Sequence, residues 1–124
     1  MGNHLDNIVA LATPKGAVSA LAIIRVSGKS LHKLYKQLTK KNVVYRKAIF
    51  SKIYHPKLNT HLDDSIIIFF KNPSSFTGED VIEISCHGSQ IIIKNIISAI
   101  ITSGARYANP GEFSLRAFYN GKID

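Results

Sequence analysis

Two charged side chains stand inside apolar runs, where strand packing discourages charge. Strand alternation over residues 20–27 places Arg25 on one face with apolar neighbours, and alternation over residues 81–86 places Glu83 on the face opposite two isoleucines. A charge that leaves water needs a partner, so both residues are candidates for holding a polar ligand. Two alternatives remain open at this point: the face is solvated, or Arg25 and Glu83 pair with each other.

Loops rich in small and polar residues flank the Glu83 run and a later segment. Such loops often shape a ligand site, although ordinary turn and cap chemistry accounts for the same composition. They are residues 75–80, 86–88, 110–113 and 120–122.

Two further motifs suggest chemistry but each lacks a necessary part. Gly28-Lys29-Ser30 resembles the end of a phosphate-binding loop, yet Ile23 stands where that loop needs its first glycine. We therefore expect no GTP binding or hydrolysis by this chain alone. Cys86 and His87 suggest a nucleophile and its base, but neighbours on a strand point to opposite faces. We expect Cys86 to be buried and inert, and we assign no catalytic residue.

The length and composition predict one soluble domain spanning residues 1–124, and the order of the strands and helices predicted below makes it an α+β domain. No apolar run approaches the roughly 18–20 residues of a membrane span, and the N-terminus has no secretory pattern, so we expect no membrane partner. A single cysteine and five scattered histidines predict neither a disulfide nor a metal site and fit a reducing compartment.

The chain is basic, with a net charge of +8 and a pI near 9.8. Residues 29–57 carry much of this charge and contain no acidic residue. Such a charge attracts polyanions, and tRNA is an obvious candidate. Biased codon usage explains a chain rich in lysine and isoleucine equally well, so the charge is compatible with RNA without proving it.

Periodicity predicts a mixed sheet with about three packed helices. The run 65–70 is nearly continuously apolar, which is typical of a strand covered on both faces. Residues 56–64 read as a polar turn, and Pro14 with Gly16 should close the first strand. Ser27 or Ser30 should cap the first helix, while Gly104 and Gly121 should end the later two. The predicted strands are 7–13, 20–27, 46–55, 65–70, 81–86 and 105–108, and the predicted helices run to about 38 and over 89–102 and 113–120.

Four ordered motifs together resemble the N-terminal domain of the MnmE (TrmE) family, and they span nearly the whole chain. Two departures stand out: the loop after Thr13 is about one residue longer than usual, and Ser89 replaces a common glycine. The motifs lie at residues 8–14, at 23–28, at 75–84 with 86–88, and at 110–113 with 116–118 and 120–122.

The resemblance implies a fold like the folate-binding domain of the glycine-cleavage aminomethyltransferase. It implies a homodimer that holds a tetrahydrofolate derivative, either 5-formyl- or 5,10-methylene-tetrahydrofolate. Residue by residue, the folate contacts of the family match Arg25, Glu83 and Lys122. Glu83 would accept pterin N–H groups, whereas Arg25 and Lys122 would neutralise or orient polar groups of the folate.

The resemblance also implies a larger protein, whose helical and GTPase domains we expect to lie outside these residues. There GTP hydrolysis, with magnesium and potassium, would drive modification of the tRNA wobble uridine at carbon 5. The partner would be an FAD-using protein of the MnmG type, in the cytoplasm or in an organelle. Two other functions stay open for this chain: a dimerisation scaffold without folate, or a basic RNA-binding module.

Overall fold

The computed structural model describes residues 6–13 and 20–122. The predicted closure of the first strand at Pro14 and Gly16 lies outside the described residues, as does most of the lengthened loop after Thr13. Among the described residues, no helix is long and apolar enough to cross a membrane.

A mixed six-stranded sheet forms the centre of the fold, which confirms the predicted α+β class. Its strand order is β3-β4-β5-β2-β1-β6, with antiparallel neighbours throughout except for the parallel pair β1 and β6. The strands are β1 Ile8–Leu11, β2 Leu21–Gly28, β3 Ile49–Tyr54, β4 His61–Phe70, β5 Asp80–His87 and β6 Arg106–Tyr107, and the helices are α1 His32–Thr39, α2 Gln90–Thr102 and α3 Glu112–Tyr119.

One face of the sheet forms the hydrophobic core with α1 and α2. Ile96 and Ile100 of α2 are fully buried against the alternate apolar residues of the central strands. The core residues of β2, β4 and β5 are Ala22, Ile24, Val26, Ile67, Phe69, Ile82, Ile84 and Cys86.

The expectation that residues 65–70 would be covered on both faces is wrong. Ile67 and Phe69 are buried under the helices, whereas Ile66 on the opposite face is 37% exposed. The antiparallel sheet has α1 and α2 on a single face, so the other side of β4 keeps its apolar character without the same cover.

The polar turn predicted over residues 56–64 is also wrong at its C-terminal end, because β4 already begins at His61. The turn is shorter: the His55 N–H donates to the Thr60 carbonyl at 2.8 Å. Asn59 supplies the left-handed residue of this turn with φ of 60°. The strand predicted over residues 46–55 is shorter in the structure, where β3 begins at Ile49, three residues after the predicted start.

A distant carboxylate, not a serine, serves the start of α1, so the prediction of Ser27 or Ser30 as its cap is wrong. The cap residue is Leu31, whose N–H donates to Oδ2 of the fully buried Asp80 at 3.1 Å. Asp80 Oδ1 accepts from the Asn72 N–H at 3.0 Å and from its side-chain amide at 2.8 Å. Asp80 thereby ties β5, the preceding loop and α1 together.

The ends of α2 and α3 agree with the sequence. Ser89 caps α2 by accepting the backbone N–H of Ile92 at 3.4 Å. Gly104 and Gly121 follow α2 and α3 with φ of 114° and 70°, as expected for C-terminal glycines.

Candidate functional site

Arg25 and Glu83 lie directly opposite each other on the neighbouring strands β2 and β5. Arg25 Nη2 lies 2.8 Å and its Nε 2.9 Å from the same oxygen, Glu83 Oε2. The two side chains remain 28% and 24% exposed. Of the two alternatives left open by the sequence, the structure shows that Arg25 and Glu83 pair with each other. The pair lies on the sheet face away from α1 and α2.

Two aromatic rings flank this ion pair. The Arg25 guanidinium carbon lies 5.6 Å from the ring centroid of Phe76 and 5.9 Å from that of Phe113. Phe76 comes from the loop before β5, and Phe113 comes from the first turn of α3. Such distances allow cation–π attraction and leave an amphipathic setting in which a flat, polar ring can be held.

Lys122 reaches the loop that carries Phe76, and not the ion pair itself. Its ammonium donates to the Pro73 carbonyl at 3.0 Å, and its backbone N–H donates to the Ala117 carbonyl at 2.8 Å. The structure therefore brings Arg25 and Glu83 into direct contact and places Lys122 on the adjoining loop.

A polar network beneath the site fixes this loop to the sheet. Ser27, two residues beyond Arg25 on β2, hydrogen-bonds Thr77 Oγ1 and Glu79 Oε1, each at 2.7 Å. The side-chain amide of Asn120 donates to the Thr77 carbonyl at 2.8 Å. The loop before β5 is thus held from β2 on one side and from the end of α3 on the other.

Buried ion pairs anchor α3 against the same loop. Arg116 is only 2% exposed and its guanidinium contacts Glu79 Oε1 at 3.0 Å and Glu112 Oε2 at 3.3 Å. Arg106 on β6 binds both oxygens of Glu112, at 2.9 and 2.6 Å. The Arg106 guanidinium lowers the pKa of Glu112 from 4.5 to about 2.

Sequence reasoning missed the importance of Glu112 and Arg116. Their spacing of four residues in a helical segment is a recognisable signal for a pair on one helix face. The burial of both residues depends on Glu79 and Arg106, which are distant in sequence. The predicted start of this helix at residue 113 also left Glu112 outside it.

The prediction that Cys86 is buried is confirmed. Cys86 is fully buried, and burial together with the Asp63 carboxylate raises its pKa to about 11. The His87 side chain contacts Asp63 instead: its Nδ1 lies 2.8 Å from Asp63 Oδ1. The backbone N–H of His87 also donates to Asp63 Oδ2, at 3.0 Å. These contacts hold the pKa of Asp63 below its ordinary value despite burial.

Gly28 has a packing function. A Cβ at this position would lie 1.9 Å from the Asn7 side-chain oxygen, so a larger residue here would require the Asn7 side chain to move. Within residues 6–13 and 20–122, no group of three or more His, Cys, Asp and Glu side chains is arranged to hold a metal ion.

The six-stranded mixed sheet with its three helices defines an α+β domain, and the motif-bearing loops lie around its Arg25–Glu83 pair. The family model described as "GTP-binding protein TrmE N-terminus" matches residues 7–122. The chain belongs to the TrmE (MnmE) family and corresponds to its N-terminal domain.

Several relatives are named tRNA modification GTPase MnmE. The one from Aliarcobacter butzleri is 48% identical over 120 residues, and that from Francisella philomiragia is 47% identical over 119 residues. The one from Thermotoga petrophila is 43% identical over 122 residues. These matches cover 96%, 96% and 97% of this chain, respectively, but 26% of each relative, so the chain spans about a quarter of their length.

Replacement of Glu112 should change both the free energy of unfolding of the domain and the way in which this free energy depends on pH. Because folding lowers the pKa of Glu112, its pairing stabilises the fold above pH 4.5, and this contribution is lost as the pH falls towards 2. Glu112→Gln should lower the free energy of unfolding at pH 7 by about 2–4 kcal/mol and flatten its decline between those values. Urea unfolding at a series of pH values measures both effects.

Ser114→Ala, at an exposed position of the same helix, is the control and should keep the wild-type profile. An equally steep acid decline in Glu112→Gln would show that the Arg106–Glu112 contact does not contribute to folding.

Proposed function

We propose that this domain binds a tetrahydrofolate derivative at the Arg25–Glu83 pair and forms a homodimer. The observation that carries the proposal is the partly exposed Arg25–Glu83 pair, flanked by two aromatic rings on the sheet face away from the core helices. A surface ion pair contributes little to stability, so the placement of a glutamate in a central strand calls for another function.

The chemistry of the pair fits a pterin ring. Arg25 Nε and Nη2 both contact Glu83 Oε2, so a ligand can approach Glu83 Oε1 while the ion pair is kept. The amino group and ring N–H of a pterin are neighbouring donors suited to a carboxylate. Phe76 and Phe113 offer apolar surface for the flat ring, and Arg25 fixes the orientation of the glutamate.

Lys122 suits the other end of such a ligand. Its ammonium is exposed and accommodates further hydrogen bonds beside the one to Pro73. The glutamyl tail of a folate carries carboxylates, which a flexible lysine can neutralise. The ligand would be 5-formyl- or 5,10-methylene-tetrahydrofolate, as the family resemblance implies.

The larger protein would be a GTPase that modifies the tRNA wobble uridine together with an FAD protein of the MnmG type, in the cytoplasm or in an organelle. The names of the relatives support the tRNA modification and the GTPase. This chain would supply folate binding and dimerisation, whereas GTP with its magnesium and potassium would bind elsewhere in the protein.

Apolar residues on the same sheet face support the homodimer. Ile66 is 37% exposed and lies opposite Ser85 of β5. Ile23 of β2 and Ile68 of β4 are partly exposed and extend the apolar surface on this face. Contiguous apolar surface of this kind is typical of a contact between protein chains.

Loss of Glu83 should abolish most of the folate affinity without unfolding the domain. Glu83→Ala removes a charge-assisted acceptor, so the dissociation constant for 5-formyltetrahydrofolate should rise about 10- to 100-fold. Calorimetric titration of the 124-residue chain measures the affinity, and a thermal melt checks folding.

Asp64→Ala is the matched control, because it removes an acidic residue from β4 away from the ion pair and should leave the affinity unchanged. Binding by Glu83→Ala with wild-type affinity would place the folate elsewhere. A folded wild-type dimer that gives no binding would leave only the scaffold function.

A charge placed on the apolar sheet face should dissociate the homodimer. Ile66→Asp would put an unpaired carboxylate into the contact, and the dimer should become monomeric at micromolar concentration in sedimentation equilibrium. Ile91→Asp is the control, because Ile91 is 71% exposed at the start of α2 and outside that face. A dimer that persists in Ile66→Asp would exclude this face as the contact.

A further inference from the structure

A basic groove lies at the edge of the sheet, between the end of α1 and strand β3. Its volume is about 480 Å³. Three lysines line it: Lys40 and Lys41 follow α1, and Lys52 projects from β3. All three side chains are exposed. The folate site proposed above uses β2 and β5, so this groove is a separate feature.

The charge around the groove is one-sided. Residues 29–57 contribute nine of the sixteen Lys and Arg residues and no Asp or Glu. Among the described residues, Asp64 is the one acidic side chain that lines the groove, and its Oδ1 lies 2.8 Å from His61 Nε2. The lining is therefore suited to an anion with several negative charges in a row.

Aromatic side chains stand among these lysines. Phe50 projects from β3 and is 71% exposed. The Lys40 ammonium lies 4.1 Å from the ring centroid of Tyr54. Lysines that track a phosphate backbone, interleaved with exposed rings on which bases stack, are the usual composition of a surface for single-stranded nucleic acid.

We propose that this groove binds RNA, with Lys40, Lys41 and Lys52 on the phosphates and Phe50 stacked on an unpaired base. The exposed ring of Phe50 favours RNA over an acidic protein segment as the occupant, because every base offers a stacking face. The choice of tRNA as the natural RNA rests on the proposed function. The proposal that the groove binds RNA does not, because it is argued from the lysines and the aromatic rings alone.

A purely structural explanation exists for the lysine on β3. This strand is at the edge of the sheet, and edge strands often carry lysine to prevent pairing with other chains. That explanation accounts for Lys52 but not for the exposed Phe50 beside it, since an exposed ring on an edge promotes association.

The test is a fluorescence-anisotropy titration of the 124-residue chain with a labelled tRNA anticodon stem-loop at several salt concentrations. The double substitution Lys41→Ala and Lys52→Ala should reduce the slope of log affinity against log salt by about 2. Phe50→Ala should weaken binding about tenfold with little change in that slope.

The matched control is Lys57→Ala with Lys94→Ala, which removes the same charge from exposed positions outside the groove. This control should keep most of the slope. Thermal melts establish that all variants are folded, and calorimetry with 5-formyltetrahydrofolate reports separately on the folate site.

Three results would overturn the proposal. Equal losses in the groove variant and in the control would show that only the net charge matters. No measurable RNA binding by the wild type would leave the lysines as protection of the sheet edge. Poly-glutamate competing as well as RNA of the same charge would identify an acidic protein as the occupant.

Discussion

The candidate site depends on a buried ion-pair network that holds α3 and the loop before β5 together. Arg116, at 2% exposure, contacts both Glu79 of that loop and Glu112 of its own helix. Buried charges are costly unless they are paired, so this arrangement is fixed only when all partners are in place. Phe76 and Phe113, the rings beside Arg25, belong to the two segments that the network joins.

The two faces of the sheet differ in burial and composition. One face is a conventional core under α1 and α2. The other carries the Arg25–Glu83 pair and partly exposed apolar residues such as Ile66. A ligand and a second protein chain can therefore use one face without disturbing the core. The basic groove lies at the β3 edge, away from both central strands of the site.

The sequence predicted most strands and helices because their signals are local. Alternating β-branched residues marked the strands around Arg25 and Glu83. Isoleucines repeated every three or four residues before Gly104 marked α2. The same alternation identified the charges of the site. It could not decide whether they pair, because strand register is a property of the folded sheet.

The errors arose where a partner comes from a distant part of the chain. The first helix was assigned a serine cap, yet Asp80 from β5 accepts the N–H at its start. The beginning of β4 was assigned to a turn because it is polar, yet its Asp63 is buried against His87 of β5. The buried position of Arg116 likewise follows from Glu79, 37 residues earlier. Local patterns carry no information about such contacts.

The central claim is that a reduced folate binds at the Arg25–Glu83 pair. Its most direct test is a two-dimensional NMR titration of the ¹⁵N-labelled chain with 5-formyltetrahydrofolate. The account predicts saturable shifts for the Arg25 Nε–H and for the backbone amides of Glu83, Phe76 and Phe113, with those of α2 unchanged. Saturable shifts confined to other residues, or none at millimolar ligand, would contradict it.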